Sequence, residues 1–141
     1  MTISLYLSFL VVIIYYNVKK TCVNNFFFLL KGIRTLITIV NKVSKETTLQ
    51  YTVTLIDDLL QENKMRVDLF HMYSRKYKEN VYQTFLRMLT LQDVFLKHQV
   101  ARIITKLACW SAELMPDKDL RDFIYWAKEN LDEKVRIFFF L

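Results

Sequence analysis

The sequence predicts an all-α fold, and three observations support that prediction. The chain has 141 residues and 53% hydrophobic content, enough for one domain with a buried core and too apolar for a disordered chain. It holds one glycine and one proline, far fewer than tight hairpins need. From residue 33 onward, apolar residues recur at three- and four-residue steps, which is the period of an amphipathic helix.

Composition also excludes several classes of function. With Gly32 as the single glycine, the sequence offers no phosphate-cradling loop or dinucleotide-binding turn. The formal charge of +6 comes mainly from the flanks, because residues 45–131 hold 13 Lys or Arg against 12 Asp or Glu. Such mixed charge is typical of solvated helix faces, so no nucleic-acid binding is expected. Cys22 and Cys109 indicate neither a disulfide framework nor a zinc site.

The start of the chain is strongly apolar. Residues 1–18 carry no charge, and the apolar run 3–16 precedes Lys19 and Lys20. A secretory signal is disfavoured, because no positive charge precedes the run and no small-residue cleavage site follows it. Two interpretations stay open: a short membrane span that leaves the rest of the chain in the cytoplasm, and a segment foreign to the fold. Residues 22–32 lack a helical pattern and are expected to form a connector.

The first two helices follow this connector. A short helix is expected from Ile33 to Ser44. Thr47 and Gln50 form a candidate capping box that opens a second helix. Its buried face is predicted from residues at helical spacing: Leu49, Val53, Ile56 and Leu60.

Two shorter helices come next. A break at Asn63 precedes a third helix, predicted by Val67, Phe70 and Tyr73, which fades in the charged residues 75–80. The fourth helix is predicted by a further apolar set: Val81, Tyr82, Phe85, Leu86 and Leu89.

The fifth helix is expected to span residues 93–115, with Asp93 as its N-cap. Because a surface helix needs one apolar face and this one has two stripes, it is expected to lie between two neighbours. The large stripe is Leu96, Val100, Ile103, Leu107, Trp110 and Leu114, and the small-residue stripe opposite is Ala101, Thr105, Ala108 and Ala112.

A sixth helix and a repeat spacing complete the pattern. Pro116 ends the fifth helix, and Asp117 or Asp119 is expected to cap the sixth. The helices at Thr47 and Asp93 start 46 residues apart, which fits HEAT or armadillo repeats. The predicted architecture is a HEAT/armadillo-like α-solenoid fragment of about two repeats. The predicted face of the sixth helix is Leu120, Phe123, Ile124, Ala127 and Leu131.

Candidate catalytic groups are few. Asp57, Asp58 and Glu62 are the nearest approach to paired carboxyls, but they are expected on a solvated helix face, where nothing raises a carboxyl pKa. His71 and His98 have no carboxylate or cysteine at a metal-ligand spacing. No catalytic residue, cofactor or metal site is therefore expected.

Three side chains are candidate partner contacts. Arg102 and Lys106, four residues apart, are a candidate positive ridge for an acidic partner, although solubility and aliphatic cover of the apolar stripe are the commoner role. Trp126 is expected at the edge of its helix's apolar face, where tryptophan is often an interaction hot spot. Trp110 is expected in the core.

Three segments carry a resemblance to a known family. They are residues 45–63 (KETTLQYTVTLIDDLLQEN), 87–115 (RMLTLQDVFLKHQVARIITKLACWSAELM) and 119–131 (DLRDFIYWAKENL). Their order and spacing are similar to the N-terminal domain of the H subunit of the vacuolar-type proton ATPase. The resemblance covers roughly residues 36–131 and a small part of the family's full length.

The resemblance implies a function and a location. It implies a cytoplasmic, non-catalytic regulatory and connecting subunit without a cofactor, peripheral on the cytosolic face of acidic-compartment membranes. Its partners would be the pump's soluble sector, especially the E and G subunits of the peripheral stalk. The alternative function is a small membrane-anchored helical interaction protein that spans the bilayer with residues 3–16.

The resemblance also divides the chain. Residues 1–32 form a non-family segment with a candidate apolar helix at 3–16, residues 33–131 the family-like helical repeat region, and residues 132–141 a divergent tail. Both flanks are rich in Phe, Ile, Tyr, Asn and Lys, as translated AT-rich non-coding sequence would be. The expectation is a truncated or mispredicted gene product with intron-derived ends.

Overall fold

The computed structural model describes residues 10–17 and 26–130, and in these residues every regular element is helical. Residues 10–17 are helical, and a short 3₁₀ turn, Lys64–Arg66, follows the second of the numbered helices. The numbered helices are α1 (Phe26–Lys42), α2 (Glu46–Glu62), α3 (Val67–Tyr77), α4 (Val81–Met88), α5 (Val94–Cys109) and α6 (Asp117–Asn130). The predicted all-α class is confirmed.

The first helix is longer than predicted. α1 begins at Phe26, so the expected connector is wrong for residues 26–32, which are helical. Leu29 and Leu30 are buried and lie in helical register with Ile33 and Leu36. The triplet of phenylalanines hid this register in the sequence, because Phe27 and Phe28 are exposed apolar residues on the opposite face.

The second helix has the predicted buried face and a different start. Leu49, Val53, Ile56 and Leu60 are all buried. The capping box is wrong: Lys45 occupies the N-cap position without a side-chain cap hydrogen bond. The amide of Gln50 instead donates to a carboxylate oxygen of Asp93, at the start of α5.

The fifth helix packs on α2 and α4, so the prediction of two neighbours is confirmed. Asp93 caps it as predicted, its carboxylate accepting from the Leu96 N–H at 3.1 Å. One wide apolar arc meets both neighbours, formed by Leu96, Val100, Ile103, Ile104 and Leu107, each 0% exposed. Ile104, which lies in neither predicted stripe, widens the arc.

Two expectations for this helix are wrong. The small-residue stripe is not its second contact, because Thr105 and Ala112 are exposed and Ala101 and Ala108 only half-buried. The helix also ends at Cys109, which leaves Leu114 92% exposed. The Ser111 hydroxyl accepts from the Glu113 N–H at 3.0 Å, and this local turn competes with further helix.

The sixth helix is the least covered. It packs on α4, with the Phe123 and Trp126 rings stacked at 6.1 Å between centroids. Leu120 and Ile124, predicted for the buried face, are 39% and 56% exposed, and Leu131 lies outside the described residues. The sequence pattern therefore identified the helix and misplaced its contact.

The described part of the N-terminal run lies against the helical core. Val11 is 0% exposed, and the Tyr15 hydroxyl lies 3.3 Å from a Glu62 carboxylate oxygen. Residues 3–9 of the candidate span fall outside the described residues. Across residues 10–17 and 26–130, no helix has both the length and the apolar character to cross a membrane.

Candidate functional site

A buried ion pair joins α2 to α5. Asp57 is 4% exposed, and its carboxylate accepts from the Lys106 ammonium at 2.5 Å; Lys106 itself is 8% exposed. The Arg102 guanidinium contacts the second oxygen of Asp57 at 3.2 Å. The expectation that Asp57 is solvated is wrong, because α5 covers this flank of α2.

The candidate ridge of Arg102 and Lys106 is divided by this pairing. The ammonium of Lys106 is buried against Asp57, with the Trp110 ring centroid 5.5 Å away, so it does not form a ridge at the surface. The Arg102 side chain is 59% exposed and leaves part of its guanidinium open to solvent. Asp58 is exposed as predicted.

Trp126 is half-buried on α6. Its ring packs on the core beside Phe123, and its indole N–H is buried without a hydrogen-bond partner in the described part of the chain. The edge position predicted for this ring is consistent with its half-burial. A partner contact through Trp126 or Arg102 stays a prediction.

A second polar junction joins α4 to α6. The Asp119 carboxylate is 2% exposed and accepts from the Asn80 amide at 2.7 Å and from the Gln83 amide. It sits in the first turn of α6, where a negative charge also complements the helix dipole. Asp119 is thus an interhelical contact.

His71 is buried in a third junction. Its Nε2 lies 3.1 Å from the Leu107 carbonyl oxygen, and its Nδ1 lies 3.7 Å from a Glu113 carboxylate oxygen. Glu113 also pairs with Arg75. His98 is exposed. Within the described ranges, no three His, Cys, Asp or Glu side chains come together as metal ligands would.

The largest feature open to a ligand in the described part of the chain is a cleft of about 400 Å³, here named the α2–α5 cleft. It lies where α2 and α5 begin, against the end of α1 and the α4–α5 turn. Sequence reasoning missed it, because its walls come from four separate segments. Its lining residues are Val40, Asn41, Val43, Ser44, Glu46, Leu49, Thr84, Arg87, Met88, Leu91, Gln92, Asp93 and Leu96.

Two carboxyl groups at this cleft influence each other. A hydrogen bond shared with Asp93 raises the pKa of Glu46, and the negative charge of Asp93 adds to that rise. The same hydrogen bond lowers the pKa of Asp93, with help from the Leu96 N–H. Glu46 is therefore the group of the pair that holds a proton more readily.

The contacts between α2 and α5 join residues at a recurring separation. Asp57 and Lys106 are 49 residues apart, and Gln50 and Asp93 are 43 apart. Both separations are close to the repeat spacing in the sequence, so equivalent helices of successive repeats pack side by side. This arrangement defines an all-α, HEAT/armadillo-like helical-repeat protein.

Comparison with known proteins gives the family. A sequence model described as the H subunit of the V-ATPase matches residues 16–138. The chain therefore belongs to the V-ATPase H-subunit family. The match begins before residue 33 and ends after residue 131, while the division of the chain at those residues stays a prediction.

Curated relatives agree with the family. The chain is 42% identical over 99 residues to the V-type proton ATPase H subunit of Drosophila melanogaster, covering 70% of this chain and 21% of that protein. It is 38% identical over 98 residues to the probable V-type proton ATPase H subunit numbered 2 of Caenorhabditis elegans, covering 70% and 21%. A probable V-type proton ATPase H subunit from Oryza sativa subsp. japonica is 33% identical over 75 residues, covering 53% and 16%. The chain spans about a fifth of the first two relatives' length.

Proposed function

We propose that this chain is a non-catalytic regulatory and connecting component of the vacuolar proton-pumping ATPase. Membership of the V-ATPase H-subunit family is the observation that carries the proposal. The helical-repeat fold supports it, since its buried polar groups hold helices together: Asp57 with Lys106, and Asp119 with Asn80.

The proposed location is the soluble sector of the pump, on the cytosolic face of acidic-compartment membranes. The proposed partner is the peripheral stalk formed by the E and G subunits. The exposed guanidinium of Arg102 is one contact through which an acidic stalk surface would bind. The membrane-anchored alternative has no support from the comparisons, which give relatives named as subunits of a proton ATPase.

A pull-down of the full chain with an E–G heterodimer tests the stalk contact. We expect retention of the chain, and a several-fold loss of retention for Arg102→Ala. Arg121→Ala is the matched control, because Arg121 is an exposed arginine on α6. No retention of a chain that is helical by circular dichroism would refute the stalk contact.

A further inference from the structure

The α2–α5 cleft combines an apolar lining with a negative rim. Leu49, Met88 and Leu96 are buried in its walls, while Leu91 is 39% exposed at its mouth. Glu46 is exposed and Asp93 half-buried where α2 and α5 begin. A volume of about 400 Å³ can receive a long side chain.

Within the described residues, the carboxyl pair at the rim has no cation of its own. Asp93 accepts from the Gln50 amide and the Leu96 N–H, both neutral donors. Among the described ion pairs, none includes Glu46 or Asp93. Arg87 lines the cleft, but its guanidinium is held by the Asn41 amide oxygen at 2.9 Å and the Gln83 carbonyl at 3.3 Å.

The shape and chemistry of the cleft favour an organic cation over a metal ion. A divalent metal would find two carboxyl groups, and no group of three metal-ligating side chains occurs in residues 10–17 and 26–130. The apolar walls formed by Val43, Leu49 and Leu91 would not replace its water ligands. A lysine or arginine suits both parts, because its aliphatic stem packs on apolar surface and its charged head stays at the rim.

We propose that the α2–α5 cleft is a docking site for a lysine or arginine side chain of a protein partner. The stem lies against Val43, Leu49 and Leu91, and the charged head reaches Glu46 and Asp93. The proposal rests on the proposed function in expecting a protein partner, and it adds the chemistry of the contact. Charge complementarity selects this occupant, since the rim is acidic and its carboxyls pair with no described cation.

Docking of a cation is linked to a proton. The raised pKa of Glu46 means that the rim binds a proton in the free chain more readily than an isolated glutamate would. A docked ammonium favours the ionised pair and releases that proton, so affinity rises with pH across the titration of Glu46. The other charged group lining the cleft is Arg87, which stays charged throughout.

Fluorescence anisotropy with capped, alanine-based helical peptides tests the proposal on the full chain. One peptide carries a Leu and a Lys four residues apart, and its match carries Gln in place of Lys. We expect the Lys peptide to bind at least ten times more tightly at pH 7, and this preference to shrink on acidification. We also expect free n-pentylammonium, which has the stem and head alone, to bind far more weakly.

Substitutions at the rim locate the binding site. Glu46→Gln combined with Asp93→Asn should remove the Lys preference, and asparagine preserves the helix cap. Glu46→Gln alone changes an exposed residue, so it gives a second reading of at least threefold without risk to folding. Asp58→Asn is the matched control, an exposed carboxylate on α2 that does not line the cleft.

Three results would overturn the docking site. They are equal binding of the two peptides, unchanged preference in the rim variants, and n-pentylammonium binding as tightly as the Lys peptide, which would indicate a small-amine site. If the chain binds the Lys peptide and fails to bind the E–G heterodimer, the stalk contact is refuted and the docking site stands.

Discussion

The Asp57–Lys106 pair is the single contact whose loss should destabilise the chain most. Asp57→Asn leaves a buried ammonium without its carboxylate, which costs about 3–5 kcal/mol of unfolding free energy. The double variant Asp57→Leu/Lys106→Met should recover most of that loss. Urea denaturation followed by circular dichroism measures both.

The Lys118–Asp122 pair provides the control for this measurement. Its side chains are 76% and 53% exposed, so Asp122→Asn should cost no more than about 0.5 kcal/mol. Equal losses for Asp57→Asn and Asp122→Asn would show that the pair between α2 and α5 is not buried in solution.

Tyr82 should make the chain sensitive to alkali. Burial raises the pKa of its phenol to about 12, and the charges of Cys109 and Asp119 add to the rise. The unfolded chain would lose this proton near pH 10, so the stabilising effect is complete below about pH 10 and is lost between about pH 10 and 12. The expected loss is roughly 2–3 kcal/mol, measured by urea denaturation across this range.

Tyr82→Phe is the matched variant for the alkaline measurement. The Tyr82 hydroxyl is buried without a hydrogen-bond partner among the described residues, so its removal should be neutral or stabilise by up to about 1 kcal/mol at pH 7. The variant should also lose less stability above pH 10. A wild-type slope in Tyr82→Phe would assign the alkaline loss to other groups.

At the scale of the helices, the end of α5 separates two leucines that the sequence treats alike. Leu107 is 0% exposed and Leu114 is 92% exposed. Leu107→Ala should cost about 2–5 kcal/mol, whereas Leu114→Ala should change stability by less than about 0.5 kcal/mol. Denaturant unfolding of both variants checks this, and a large loss for Leu114→Ala would mean that α5 continues to residue 115.

Helical periodicity predicted elements better than their boundaries. It predicted α2 with its buried Leu49 and Val53, and it predicted the cap at Asp93. It failed at the start of α1 and the end of α5, where local features competed with the pattern. Competition of this kind depends on which neighbours cover a given turn, and a one-helix pattern does not contain that information.

At the scale of the whole molecule, the exposed apolar residues of α6 should promote self-association. Leu120, Ile124 and Tyr125 are 39%, 56% and 68% exposed on one helix. Leu120→Glu/Ile124→Glu should reduce the apparent mass in size-exclusion chromatography with light scattering, and helicity should be retained. Met65→Glu, at an isolated position that is 73% exposed, should leave the association unchanged.

The sequence by itself determined the helical class, the repeat spacing and the family resemblance, because these depend on local periodicity and on residue order. Tertiary structure decided the partners. Asp57 and Lys106 lie on helices 49 residues apart in sequence, and only the packing of α2 on α5 removes both from water and makes their pairing strong. The same packing brings Glu46 to Asp93 and forms the cleft between four segments, none of which has a binding pattern of its own.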